Sequence, residues 1–381
     1  MATLASTRSA NVAFTNQTEP QGLAKNAQGN WVAATWNAVT PLHKSAVKIN
    51  LLAFYAAIVK TSAASVAPSL TMTKATGCLA GALSRFMRVS AAGNLEVSGE
   101  YTQLKDFVRT GLTGVAGAGL AYLHMIEDGY TWCAHYEDCV PPKKEKRPDF
   151  VFSKPPRAGS PDEYVLVEAK GTQHQTGVSL IRAQDGFLAQ VLPRADQMLN
   201  GAFMPTHGYA SAIAFNSVKP TPPAKAGFSD VTFVIAGKKF PAPTASTTGP
   251  AHTPGQVQGS TVQSLNYTGF FHAAGADRFL RQVRPGQDEF VSDSVGEIET
   301  PFGEFSIRLV IPRPLLERVP VGRLPEPDRM ERPELDWIDS TTLDVRFPDR
   351  TVVRLTQVGD PVFPQAGPRR PMGLPGGWPR Q

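Results

Sequence analysis

The sequence predicts an α/β protein: a mixed-sheet core in the order αβββαβ, preceded by a helical extension and followed by a β-rich region. Three observations carry this. Segments with apolar residues three and four apart recur over 41–92, 111–128 and 178–199. Between the last two lie short runs rich in β-branched and aromatic residues, punctuated by turn residues. One of these, YVLVEAKG (164–171), is apolar on both faces until its last residues, which marks a central strand covered on both sides. A chain of 381 residues, 41% hydrophobic, can bury such a core.

Residues 1–40 are rich in Ala, Asn, Thr and Gln without periodicity and are expected to be poorly ordered. Residues 41–110 form the helical extension. Its most apolar run, LLAFYAAIV (51–59), lies between Lys48 and Lys60 and reaches about half the length needed to span a bilayer, so it reads as a buried helix. The core is expected over 111–217. TGLTGVAGAGLAYLHMIEDG begins it as a helix that stops at Gly129, with Gly114, Gly117, Ala118 and Ala121 on a side where another backbone can approach. Strands follow at 130–137, 149–154 and 164–171, then the helix at 178–199 and a strand of small residues at 208–216. Over 218–360 the pattern changes to hairpins around Ala236-Gly237, within 296–312 and around Pro348-Asp349-Arg350, with a helix at 266–283. The tail, 361–381, is dominated by Pro, Gly and Arg and offers little to bury.

A net charge of +5 permits a polyanionic partner. Three cysteines (Cys78, Cys133 and Cys139) are too few for a disulfide framework and favour a reducing compartment. The N-terminal residues lack the apolar core of a secretory signal. Cytoplasmic residence without membrane association is therefore expected. CAHYEDC (133–139) offers three zinc donors where closed sites want four, so buried thiols are the better reading. The glycines of GLTGVAGAGL lack the spacing and preceding strand of a phosphate loop.

Chemistry concentrates in RPDFVFSKPPRAGSPDEYVLVEAKG (147–171). Strand alternation puts Glu168 and Lys170 on one face, at the end of a strand whose other residues are apolar. Charges there are costly unless paired, bound to metal or used. A hairpin brings Asp149 towards Glu168, and two carboxylates with the backbone oxygen of Ala169 suit Mg²⁺, with Mn²⁺ a substitute. Lys143, Lys144, Lys146 and Arg147 precede Asp149 and could contact phosphates.

Pro148-Asp149 followed by Glu168-Ala169-Lys170 resembles the PD-(D/E)XK nuclease superfamily, of restriction-endonuclease-like fold, over about residues 112–216. The resemblance implies that Asp149 and Glu168 are metal ligands, that Lys170 is the catalytic lysine, and that Gln184 on the second helix lies near the site. It also implies a Mg²⁺-dependent endonuclease acting on DNA, by analogy in defence or genome maintenance, with a protein partner or homodimer where both strands are cut. The alternative is a nucleic-acid-binding or scaffolding subunit that keeps the fold without catalysis. One departure lies in the first helix, where resolvase-like members often carry a glutamate and this chain holds Ala118 or a neighbour. Glu100 and Glu127 are poorly spaced to replace it, and Glu137 is another candidate.

Overall fold

The computed structural model describes residues 9–39, 46–64, 70–140, 145–155, 163–173, 175–196, 204–216, 227–241, 261–276, 288–300, 303–328 and 330–359. Lys143, Lys144, the tail 361–381 and most of the Pro-rich segment 241–260 fall outside them. The described residues form a mixed α/β structure with two large sheets.

The N-terminal region departs from the expectation of disorder. Residues from Ser9 onward form β1 (Ser9–Gln21), the small β2 (Ala24–Lys25) and β3 (Trp31–Val32), β4 (Thr35–Val39) and β5 (Ala46–Asn50). Strand β1 pairs with β4 and β5 along one edge. The physical reason is that a ladder satisfies backbone groups whatever the side chains are, so a run of Ala, Asn, Thr and Gln can be a strand when a partner exists.

The helical extension contains α1 (Leu51–Ser62) and α2 (Leu70–Ser84), followed by β6 (Met87–Val89) and β7 (Leu95–Ser98). Asn50 caps α1, its side chain accepting from the N–H groups of Leu52 and Ala53. Next come α3 (Asp106–Glu127), β8 (Trp132–His135), the single turn α4 (Tyr136–Cys139), β9 (Phe150–Ser153), β10 (Tyr164–Thr172), α5 (Thr176–Gly186) and β11 (His207–Phe215). Helix α3 ends where Gly129 takes φ 81°, and its N–H returns to the carbonyl of Ile126. Strands β8, β9 and β10 run antiparallel, and β11 runs parallel to β10 after the α5 crossover. The order is helix, three strands, helix, strand.

The segment read as a hairpin around Ala236-Gly237 is instead one strand, β12 (Phe228–Lys239), antiparallel to β11 and parallel to β1. Gly237 is not a turn. A Cβ there would lie 2.2 Å from the Tyr209 ring and 2.7 Å from the carbonyl oxygen of Gly208, so the glycine serves close packing. The first sheet thus runs β4-β1-β12-β11-β10-β9-β8, with β5 on β1 and β7 on β12.

After α6 (Thr261–Ala274) a second sheet is built from β13 (Glu289–Val291), β14 (Gly296–Thr300), β15 (Gly303–Pro312), then, beyond the short α7 (Arg313–Arg318), β16 (Glu334–Trp337), β17 (Thr342–Arg346) and β18 (Val352–Gln357). Its order is β13-β15-β18-β17-β16, with β14 on β15. Two of the expected hairpins are here, β14 with β15 and β17 with β18, the second turning through Arg350 at φ 65°. Helix α2 meets β14 at Gly77, where a Cβ would lie 2.0 Å from the carbonyl oxygen of Val295. One continuous hydrophobic core links both sheets. Among the described residues no helix is long and apolar enough to cross a membrane.

Lys60, at the end of an apolar run, is fully buried and pairs with the equally buried Asp349 in the β17–β18 turn at 2.7 Å. Removing one partner of such a pair costs about 3–5 kcal/mol, against roughly 0–1 kcal/mol for a surface pair. Lys60→Met is therefore expected to lower unfolding free energy by about 3–5 kcal/mol in urea titration. Arg85→Ala, which removes an exposed partner of Glu299, is expected to stay within about 1 kcal/mol.

Candidate functional site

The site is made where two strands part. The last residue pair between β9 and β10 is Phe150 with Val167. Beyond it, Glu168 to Thr172 pair with β11 alone. Asp149, just before β9, fills the gap: its Oδ2 accepts the Ala169 N–H at 2.8 Å. In a strand the N–H and C=O of one residue face the same neighbour, so the Ala169 carbonyl lies on the Asp149 edge as well.

Alternation then separates the side chains. Gly171 turns towards α3, where a Cβ would lie 1.8 Å from the carbonyl oxygen of Thr113. Gly117 of α3 likewise leaves room for the Lys170 carbonyl, 2.7 Å from where its Cβ would be. These contacts press α3 onto β10. Glu168 and Lys170 turn the other way, towards Gly186 at the end of α5. Glu168 is completely buried and Lys170 about one third exposed, and the two form an ion pair. Among the described residues, apart from Lys170, neither carboxylate oxygen of Glu168 meets a hydrogen-bond donor.

Lys170 has a second partner. Its Nζ donates to Gln190 Oε1 at 3.1 Å, and Gln190 Nε2 donates to the Arg147 carbonyl at 2.7 Å. Gln190 lies in a single π turn, Phe187–Val191, between α5 and a 3₁₀ turn, Leu192–Arg194. Arg194 donates to the Lys146 carbonyl at 3.1 Å and pairs with Glu145 at 2.6 Å. The segment that leads into Asp149 is thereby tied down.

Burial shapes the electrostatics. It pushes the Asp149 carboxyl above its ordinary value of 3.8, against the opposing Ala169 N–H and the charges of Lys170 and His135. It also pulls the Lys170 ammonium below 10.5, opposed by Asp149 and reinforced by the positive charges of Lys146 and Arg182. The arrangement offers buried carboxylate oxygen and a strand carbonyl to a hard cation, and an ammonium beside them. The three groups are two side chains and a backbone oxygen; among the described residues no cluster of three His, Cys, Asp or Glu side chains forms a metal site.

Comparison with protein-family models, with curated proteins and with solved structures returned no match.

The structure brings Asp149, Glu168, Ala169 and Lys170 together. Gln184 lies elsewhere, its Nε2 donating to Thr18 of β1 at 3.3 Å. Gln190 is the glutamine that reaches the lysine. In a regular α-helix the two glutamines would lie about 120° apart around the axis, and the only sequence signal for Gln190 was a lone polar residue in the apolar run FLAQVL. Lys146 and Arg147 stand beside the site, as their links to Gln190 and Arg194 require. Helix α3 presents glycine, not carboxylate, at the strand: Glu127 pairs with Arg332 at 2.9 Å, and Glu100 is exposed in a 3₁₀ turn. Glu137 is exposed in α4, and its charge raises Asp149 further. His135 contacts the Thr61 carbonyl at 3.1 Å and the edge of Phe150. Cys133 and Cys139 are free, buried thiols, that of Cys139 pushed up to about 12 by burial.

The two glycines flanking the site predict opposite outcomes. Gly117→Ala would drive a methyl into the Lys170 carbonyl and is expected to lower stability by about 1–3 kcal/mol. At Gly186 a Cβ would sit 3.4 Å from Glu168 Cγ, an ordinary contact, so Gly186→Ala is expected to be neutral or to gain up to about 1 kcal/mol. Urea unfolding midpoints check both, and equal values would refute the close approach of α3.

Proposed function

We propose that the chain is a metal-dependent nuclease that hydrolyses phosphodiester bonds, with DNA the favoured substrate. The observation that carries this reading is the Asp149 carboxylate on the Ala169 N–H, at the fork of β9 and β10 and on the same strand end as buried Glu168 and Lys170. The order of α3, β8, β9, β10, α5 and β11 supports the same reading, because it is that of the PD-(D/E)XK superfamily, which the Pro148-Asp149 and Glu168-Ala169-Lys170 motifs resemble.

The donor set fits Mg²⁺ or Mn²⁺: the Glu168 oxygens are buried with no donor other than Lys170, and the second oxygen of Asp149 has no hydrogen bond among the described residues. Asp149, Glu168 and the Ala169 carbonyl would hold the ion. Bound there, it would polarise a phosphoryl oxygen and acidify a water. Lys170 orients the attacking water or meets the negative charge that develops on the phosphoryl group. Lys146 and Arg147 lie where a phosphate backbone would approach. No side chain forms a covalent intermediate in this scheme. A cytoplasmic role in defence or genome maintenance accords with it.

Two observations favour a second reading, a nucleic-acid-binding or scaffolding subunit. Helix α3 brings no carboxylate to the strand, and Glu168 is already neutralised by Lys170.

Plasmid cleavage in Mg²⁺ decides. Wild type is expected to nick or linearise DNA, chelation to abolish this, and Lys170→Ala to slow it by about 10²–10³-fold. Equal rates for Lys170→Ala and wild type would overturn the assignment. Binding without cleavage by either would favour the second reading.

A further inference from the structure

Glu168 holds a place that a lysine and a divalent cation must contest. Its carboxylate is fully buried, and Lys170 is its ion-pair partner. A cation bound at the usual oxygen distances of about 2.0–2.6 Å would find the ammonium already on that carboxylate. Two positive charges a few ångströms apart beside a buried carboxylate repel. Either the cation is excluded or the lysine moves.

The structure provides a place for it to move. Gln190 Oε1 already accepts from Lys170 Nζ at 3.1 Å. The orientation of that amide is fixed, because its other end donates to the Arg147 carbonyl at 2.7 Å and only the NH₂ group can do so. Gly186 puts no side chain beside the lysine: a Cβ there would lie 3.6 Å from Lys170 Cε, in van der Waals contact. The π turn that carries Gln190 is a rare element that recurs at functional sites.

We propose that Gln190 is a positioning residue that draws Lys170 off Glu168 as a divalent cation enters, so that the site exchanges one positive charge for another. The proposal rests on the metal-dependent reading above. It makes Lys170 a competitor of the metal in the resting protein and a neighbour of the scissile phosphate in the loaded one.

Calorimetric titration of the metal-free, full-length protein with Mn²⁺ tests it through a double-mutant cycle. Lys170→Met is expected to tighten Mn²⁺ binding by about tenfold, since the competing ammonium is gone. Gln190→Met is expected to weaken it by about three- to tenfold when Lys170 is present, and to change nothing in the Lys170→Met background. Thermal melting without metal checks that each variant is folded. Should Gln190→Met melt early, Gln190→Asn carries the same expectation, because the shorter amide cannot span from the Arg147 carbonyl to Lys170. The proposal is overturned if Gln190→Met binds Mn²⁺ as wild type does, or if it weakens binding equally in both backgrounds. Plasmid cleavage by the same wild-type preparation separates the two ideas. The expected affinities without cleavage would leave the exchange standing and remove the nuclease, whereas cleavage with unchanged affinities would do the reverse.

Discussion

A single buried ammonium ties the two sheets together at one point of the core they share. Lys60 reaches Asp349 across 289 positions of sequence, and everything around the pair is arranged to satisfy it. Asn266 of α6 donates to the same carboxylate oxygen at 2.7 Å, while Thr351 supplies its N–H and hydroxyl to the other. Tyr267 bonds the Asp349 carbonyl and in turn accepts from the Trp132 indole, and Asn266 accepts the Cys133 N–H. The Phe270 ring lies under the ammonium at 4.4 Å. Helices α1 and α6, strand β8 and the β17–β18 turn are thus joined at one point. A buried pair of this kind is specific more than it is stabilising: its desolvation cost largely offsets its attraction, but every other docking of the second sheet would leave a charge unpaired.

This matters for the candidate site because β8 is also the neighbour of β9. The network fixes the far edge of the β8–β9–β10 meander, and the glycine contacts of α3 fix the face of β10. Between these restraints β9 can end at Asp149 while β10 runs on. Ending a strand early exposes backbone groups that need partners, and Asp149 is the partner. The same step that repairs the ladder therefore sets a carboxylate at the fork.

Much of this was legible in the sequence. The VLV of β10 announced a strand buried on both faces, and period-two alternation correctly put Glu168 opposite Ala169, because both signals are local. The glycines of α3 announced a close approach, and Gly117 makes it. Other features were set by partners distant in the chain. Strand β1 has no period of its own and exists because β12 is there to pair with it. Gly237 read as a turn until Tyr209 supplied the reason for its small size. Gln184 and Gln190 exchanged roles because they lie on different sides of the helix, and no hydrophobic period signals the π turn that carries Gln190. Lys60 looked like the polar boundary of an apolar helix, and nothing within that helix told of Asp349.

The ion pairs of Lys60 and Lys170 differ in how their carboxylate partners are supplied with donors. Lys60 is wholly buried, yet its carboxylate partner receives three further donors and has no capacity left. Lys170 is partly exposed, and its partner Glu168 has no other donor among the described residues. A protein that only needed to neutralise Glu168 would have surrounded it as it surrounds Asp349. Leaving a buried carboxylate undersupplied costs stability, on the order of 1–3 kcal/mol for a missing donor and more for a charged group. Under the metal-dependent reading proposed above that cost has a use, because donors placed there in advance would have to be stripped away before an ion could bind.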